Sequence, residues 1–500
     1  MSEPATAFQS REEGVRDDAR ALNRALGVQV LGYGLKAGLP FLLAFATRTY
    51  GVAQWGVFVG VQTIVMMAVR LGLFGLDKAT LWWVGAHDPR EMHRALVPAA
   101  ALAGVLSTCL SALIALAGRL ILERWSGASV EQLPALLITL LGLPLMAVTE
   151  VMLNASMGQR KMGMQVAIRD TMVPALWLGS ALIFHALGVV EAGLCWAFVL
   201  SHGAGLVAAS ALLFGRQAAR AGAITFRPPP ELLRYALPLW LSEIANTTLL
   251  RVDALTLVAL TDPFTVGVWG VMTQFGNAMR SIRRAFDPIL IAVTARISKA
   301  HDNERLAHAL SYATQLVSLT QFPVFVFLLL FAGKLLPLYG SGFERGTTAL
   351  VVLCAFWMVS GAVSLPGVVL AGYGHARLAL VVTLIGIAVQ VPLLFLLVPS
   401  YGLVGAACAV GLANLVQQAV QLWQLRVRLG GWPYNERAGR SSLPTLVAGG
   451  ATALTYAALV RVGTSDWTTS GGAFAMFLAV YGGMVGHQWR RGLLRAPGRD

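Results

Sequence analysis

Long apolar runs recur along the whole chain, separated by short polar gaps, and within each run the apolar residues are continuous rather than alternating. Each run is about as long as a helix crossing the hydrocarbon core of a bilayer, roughly 20 residues at 1.5 Å per residue. The runs fall at about 25–47, 56–77, 95–117, 132–153, 165–186, 190–214, 235–258, 265–291, 309–332, 347–370, 378–398, 402–424, 444–461 and 470–487. A barrel strand would alternate apolar and polar positions, and lipid leaves no third way to satisfy the backbone. The pattern predicts an all-α polytopic membrane protein of about 14 transmembrane helices.

Basic residues test that count, because cytoplasmic loops are rich in Lys and Arg. With both ends cytoplasmic, the tails and the even-to-odd loops hold most of the 38, among them Arg90, Arg94, Arg160, Lys161, Arg216, Arg220, Arg296, Lys299, Arg426 and Arg428. The opposite loops hold six: Arg48, Arg119, Arg124, Lys334, Arg345 and Arg461. A missed or spurious span would scramble this alternation. Residues 1 to about 24 mix Glu12, Glu13, Asp17 and Asp18 with Arg11, Arg16, Arg20 and Arg24, ahead of an apolar span without a small-residue cleavage site. They read as a cytoplasmic tail and not a signal peptide. The expected localisation is the bacterial inner membrane, multi-pass, with both termini cytoplasmic.

Composition agrees: 56% of the residues are hydrophobic and 12% charged, with mean hydropathy +0.67, more apolar surface than a water-soluble interior can hide. A net charge of +14 would suggest nucleic acid in a soluble protein, but these charges lie between apolar runs and set orientation instead. Cys109, Cys195, Cys354 and Cys408 lie far apart in apolar stretches, and the eight histidines form no ligand pattern. Gly333-Lys334 lacks the upstream glycine and the following Ser or Thr of a phosphate-binding loop. No metal, cofactor or nucleotide hydrolysis is expected.

The two halves share landmarks at nearly one offset. Gly56-Val57-Phe58 maps onto Gly267-Val268-Trp269 at 211, and Arg70 with Asp77 maps onto Arg280 with Asp287 at 210. Gly158-Gln159-Arg160 is similar to Gly374-His375-Ala376-Arg377, and Leu187-Gly188-Val189-Val190 to Tyr401-Gly402-Leu403-Val404 at 214. Spans 1–6 are thus predicted to repeat as spans 7–12 in the same orientation, since the unit has an even number of crossings. The expected organisation is a tail at 1–24, an N-lobe at 25–214, a cytoplasmic linker at 215–234 and a C-lobe at 235–424. A cytoplasmic loop at 425–443, a terminal helix pair at 444–487 and a tail at 488–500 complete it.

Three segments carry a resemblance: RTYGVAQWGVF (48–58), RYALPLWLSEIANTTLLRVDALTL (234–257) and VPSYGLVGAACAV (398–410). In order and spacing they resemble the polysaccharide transporters, the Wzx-type lipid-linked oligosaccharide flippases of the multidrug/oligosaccharidyl-lipid/polysaccharide (MATE-like) exporter superfamily. The resemblance implies a non-enzymatic protein that moves a polyprenyl-pyrophosphate-linked glycan between leaflets by alternating access of two lobes. Its partners would be that glycan, membrane lipids, and a polymerase and export machinery for lipopolysaccharide, capsule or exopolysaccharide. Fourteen spans fit this branch better than the twelve-helix drug exporters, and the fourteen-helix lipid II flippases stay an alternative.

A charged side chain at the centre of a span costs about 2.5–3.5 kcal/mol on insertion scales, so charges in spans need partners or a wet cavity. Span 1 carries Lys36, span 2 Arg70, span 7 Glu243, Arg251 and Asp253, and span 8 Arg280, Arg283, Arg284 and Asp287. By the repeat, Arg70 and Arg280 stand at similar depth in opposite lobes. With Lys36 and Arg284 they would make a cationic cavity suited to a pyrophosphate or acidic sugar. Arg283 and Arg284 either hold Asp287 or reach the interface; Glu243, Arg251 and Asp253 either stabilise a lobe or couple ions. Glu150 and Asp170 read mainly as interface residues. Short outer loops disfavour a glycosyltransferase or polymerase, and a cationic cavity disfavours export of cationic drugs. Spans 13 and 14, free of charge at their centres, either offer a groove for a polyprenyl tail or only support the fold.

Overall fold

A computed structural model describes residues 43–87, 91–125, 133–159, 163–214, 228–284, 303–363, 365–372, 376–429, 434, 442–462 and 465–490. Every regular element among them is a helix. Nine helical stretches among the described residues are long and apolar enough to cross a membrane, and one of them, Leu378–Arg428, is long enough for two crossings. The chain is a multi-pass membrane protein. Large apolar side chains such as Leu116 (84% exposed) and Leu454 (75%) face outward, as expected where the solvent is lipid.

Contacts divide the chain into two units, Met1–Thr247 and Thr248–Asp500. The first contains α1 (Val52–Leu73), α2 (Leu76–Ala86), α3 (Met92–Trp125), α4 (Leu133–Leu140), α5 (Gly142–Gly158), α6 (Val173–Ala186), α7 (Gly193–Phe214) and the start of α8 (Pro230–Leu260). Its core is aromatic: Phe58 stacks on Trp177 at 5.5 Å, with Trp55 and Phe198 edge-on or tilted around them. The second span does not run on as one helix to residue 77, as its apolar pattern predicts. It stops at Phe74 (φ 50) and Gly75 (φ 73), both left-handed, and restarts as α2.

The break is locked by α8. A Cβ on Gly75 would lie 2.3 Å from the Ala236 carbonyl oxygen, so only glycine fits both the dihedral and the approach. Trp240 Nε1 donates to the Leu71 carbonyl at 3.2 Å and its ring lies 4.6 Å from that of Phe74. Close by, the Trp82 and Tyr235 rings stack at 4.4 Å.

The second unit holds the rest of α8, α9 (Pro263–Arg284), α10 (Asn303–Leu335), α11 (Thr347–Val363), α12 (Leu365–Gly372), α13 (Ala376–Leu429), α14 (Ser442–Arg461) and α15 (Asp466–Arg490). Within α13 the backbone leaves helical geometry at Gly402 (φ 53, ψ −129), where the predicted spans 11 and 12 meet. The last pair is fastened to α10. Phe322, Phe477 and Tyr481 pack together, Tyr481 Oη donates to the Leu319 carbonyl at 2.9 Å, and Lys334 Nζ reaches Ser470 Oγ.

Candidate functional site

Helices α8 and α9, which carry Asp253 and Arg280, are not among the nine apolar stretches, and both contribute side chains to a polar cavity in the second unit. This cavity, partly open to the outside, lies among α8, α9, α11 and α13. Its lining includes Asp253, Trp269, Arg280, Trp357, Gln390 and Gln417.

Asp253 is 7% exposed, and its Oδ2 accepts from Trp269 Nε1 at 3.1 Å. Its Oδ1 is buried with no hydrogen-bond partner among the described residues, as is Nε2 of Gln390, which is 3% exposed. The Arg280 guanidinium lies over the Trp357 ring, 4.4 Å from its centroid, and donates to Asn277 Oδ1. This cation–π contact lets an arginine sit inside an apolar lobe while its edge can take an anionic group.

Amides continue the polar surface along α13. Asn414, Gln418, Gln421 and Gln424 recur at three- or four-residue spacing, with Gln417 beside Gln418, on one helix face about 15 Å long. Ser360 on α11 donates to Asn414 Oδ1 at 2.7 Å, Gln418 Nε2 reaches Ser360 Oγ at 3.2 Å, and Gln417 Nε2 donates to the Val382 carbonyl at 3.3 Å.

The first unit has its own charged groups. Arg70 Nη1 lies 3.5 Å from Asp77 Oδ2, and Asp77 is 2% exposed. Seven residues of straight helix would hold this pair about 10 Å apart along the axis; the turn at Phe74–Gly75 lets it close. Arg169 Nη1 meets both Glu150 oxygens, at 3.2 and 3.1 Å, and its Nε lies 3.7 Å from Asp170. Glu150 is 9% exposed, so it is a buried, paired group and not the interface residue its position suggests. Arg169 and Asp170 ride on a π-helical insert, Val166–Met172, a geometry frequent at functional positions.

Of the residues singled out from the sequence, Asp253 and Arg280 line the cavity together. Glu243, Arg251 and Arg283 are not among its lining residues, and Arg70 belongs to the other unit. Lys36, Asp287 and the side chain of Arg284 lie outside the described residues. Trp269, Trp357, Gln390, Asn414 and Gln417 were missed because only charges were sought within spans. The signal was there: a run of amides at helical spacing inside an apolar segment is as conspicuous as a charge.

Residues 48–345 match the family described as "Polysaccharide biosynthesis protein". The chain belongs to that family. No curated protein matches it in sequence. Among solved structures it is similar to the lipid II flippase MurJ in an inward closed conformation, with TM-score 0.73 and 14% identity, covering 94% of this chain and 99% of MurJ. It is also similar to a multidrug resistance MATE family transporter of the MOP superfamily. The inward-facing form gives TM-score 0.64 at 20% identity over 80% of this chain and 94% of the transporter. The outward-facing form gives 0.57 at 17% identity, over 82% and 95%. At these identities the likeness establishes the fold, which is that of polytopic membrane transporters.

Proposed function

We propose that this member of the polysaccharide biosynthesis family is a flippase that carries a polyprenyl-pyrophosphate-linked oligosaccharide across the bacterial inner membrane. The observation that carries the reading is a guanidinium, Arg280, held in a cavity inside a helical unit of transporter fold, next to polar groups with no hydrogen-bond partner among the described residues. An anionic head group justifies a buried arginine energetically, whereas a cationic drug would be repelled by it. Arg70, the repeat-related residue of the first unit, is proposed as the second anion contact, with Asp77 as the partner it exchanges for substrate. The polyprenyl tail stays in lipid while the head group crosses. A polymerase acting on the delivered glycan is the expected downstream partner, and the alternation of Lys and Arg between the apolar runs supports cytoplasmic termini.

The test uses cells lacking the gene, complemented with wild type, Arg70→Gln, Arg280→Gln or both. Each single variant is expected to accumulate lipid-linked glycan on the cytoplasmic side and to lose surface polymer, with membrane insertion unchanged. Lysine at either position should restore export only in part, because it cannot make forked contacts. Normal surface polymer in the double glutamine variant refutes the assignment.

A further inference from the structure

The carboxylate and amides around this cavity have no polar counterpart at the repeat-related positions of the first half. At an offset of 214, Gln390, Asn414, Gln417, Gln418 and Gln421 correspond to Leu176, Leu200, Gly203, Ala204 and Val207, and at 211 Asp253 corresponds to Leu42. Leu176, Leu200 and Val207 lie on the exposed surface of the first unit, whereas Asp253, Gln390, Asn414 and Gln417 line a cavity in the second. Asn414, Gln417 and Gln418 are held by hydrogen bonds, but a buried polar group without a partner destabilises a fold. Asp253 Oδ1 and Gln390 Nε2, both on residues that line the cavity, are buried with no hydrogen-bond partner among the described residues.

The chemistry of the group that would match them is restricted. Arg280 in the same lining opposes a bare cation. A pyrophosphate at Arg280 has no proton to give the Asp253 carboxylate and leaves Asp253 Oδ1 unmatched. A hydroxyl both donates and accepts, so it serves the carboxylate oxygen and an amide whichever way that amide is turned. Leu250, Leu353 and Val410 complete the cavity with an apolar wall, which suits the C–H face of a ring.

We propose that this cavity is a sugar subsite. A pyranose residue of the transported glycan places hydroxyls on Asp253 and Gln390 and its C–H face on the apolar wall, beside the group that Arg280 holds. The inference rests on the flippase reading and names where the glycan is recognised. It assigns specificity to the second unit alone, by neutral hydrogen bonding, separate from recognition of the anion.

The experiment is saturation-transfer NMR on the full chain in lipid nanodiscs. The probes are the methyl glycosides of glucose, galactose, mannose, N-acetylglucosamine and glucuronic acid, each as free monosaccharide. At least one should receive saturation from the wild-type protein. Gln390→Leu, which installs the residue found at the repeat-related position, should weaken its binding about 3- to 10-fold, the effect of one lost hydrogen bond. Asp253→Asn, which retains an acceptor for Trp269, should weaken the same glycoside and guards against misfolding of the first variant. An unchanged melting midpoint certifies each variant. Absence of contact with every glycoside, or equal binding by wild type and both variants, overturns the subsite. The flippase reading fails separately: surface polymer that persists in a strain lacking the gene refutes it, whatever the NMR shows.

Discussion

Replacing Gly75 by alanine tests the most constrained point of the first unit. The new Cβ would lie 2.3 Å from the Ala236 carbonyl oxygen and 3.0 Å from the Trp240 amide nitrogen. Both are backbone atoms of α8, so no side-chain rotation relieves the contact. Holding alanine at φ 73 adds about 1–2 kcal/mol, and overpacking against backbone adds about 1–3 kcal/mol. The expected destabilisation is therefore about 2–5 kcal/mol. The start of α8 must move away, which strains the Trp240–Leu71 hydrogen bond and the Phe74–Trp240 contact. Gly188→Ala is the control, because it also has a positive φ, 81, but open space around the added carbon. Thermal unfolding of the purified protein in nanodiscs should show a much larger fall for Gly75→Ala than for Gly188→Ala. Adding Trp240→Ala to Gly75→Ala should cost less than Trp240→Ala alone, since the contact is already loosened. Equal shifts for the two glycine variants, or strict additivity with Trp240→Ala, would refute the close approach.

Two further outcomes follow from the same geometry. Arg169→Gln strands the buried Glu150 carboxylate and should destabilise by about 1–3 kcal/mol, the lower part of the range for a broken buried pair because Arg169 is 40% exposed. Glu150→Gln combined with it should recover part of that loss in thermal unfolding, and a double variant as unstable as the sum of the singles would show that the pair is not coupled. Reporter fusions at residue 500 and within 335–345 should lie on opposite sides of the membrane, and the same side for both would sink the fourteen-span topology.

The apolar runs determined the helices, because in lipid each span must satisfy its own backbone and cover itself with apolar side chains, both local properties of the chain. The alternation of Lys and Arg between gaps was legible for the same reason, and so were Asp253 and Arg280 as charges set inside spans. What joins one helix to another was not. The break at Phe74–Gly75 lies within a run whose hydropathy continues, and it exists because α8 presses on a glycine some 160 residues away in sequence. Only that turn brings Arg70 to Asp77. Arg169 and Glu150 are 19 residues apart on different helices and meet through their packing, aided by a π-helical register that no periodicity announces. The cavity draws its side chains from four helices, so Gln390 and Asp253 acquire a shared role only when those helices pack. Local pattern sets what each helix is; the approach of small residues and the depth of each polar group along neighbouring helices decide which groups meet.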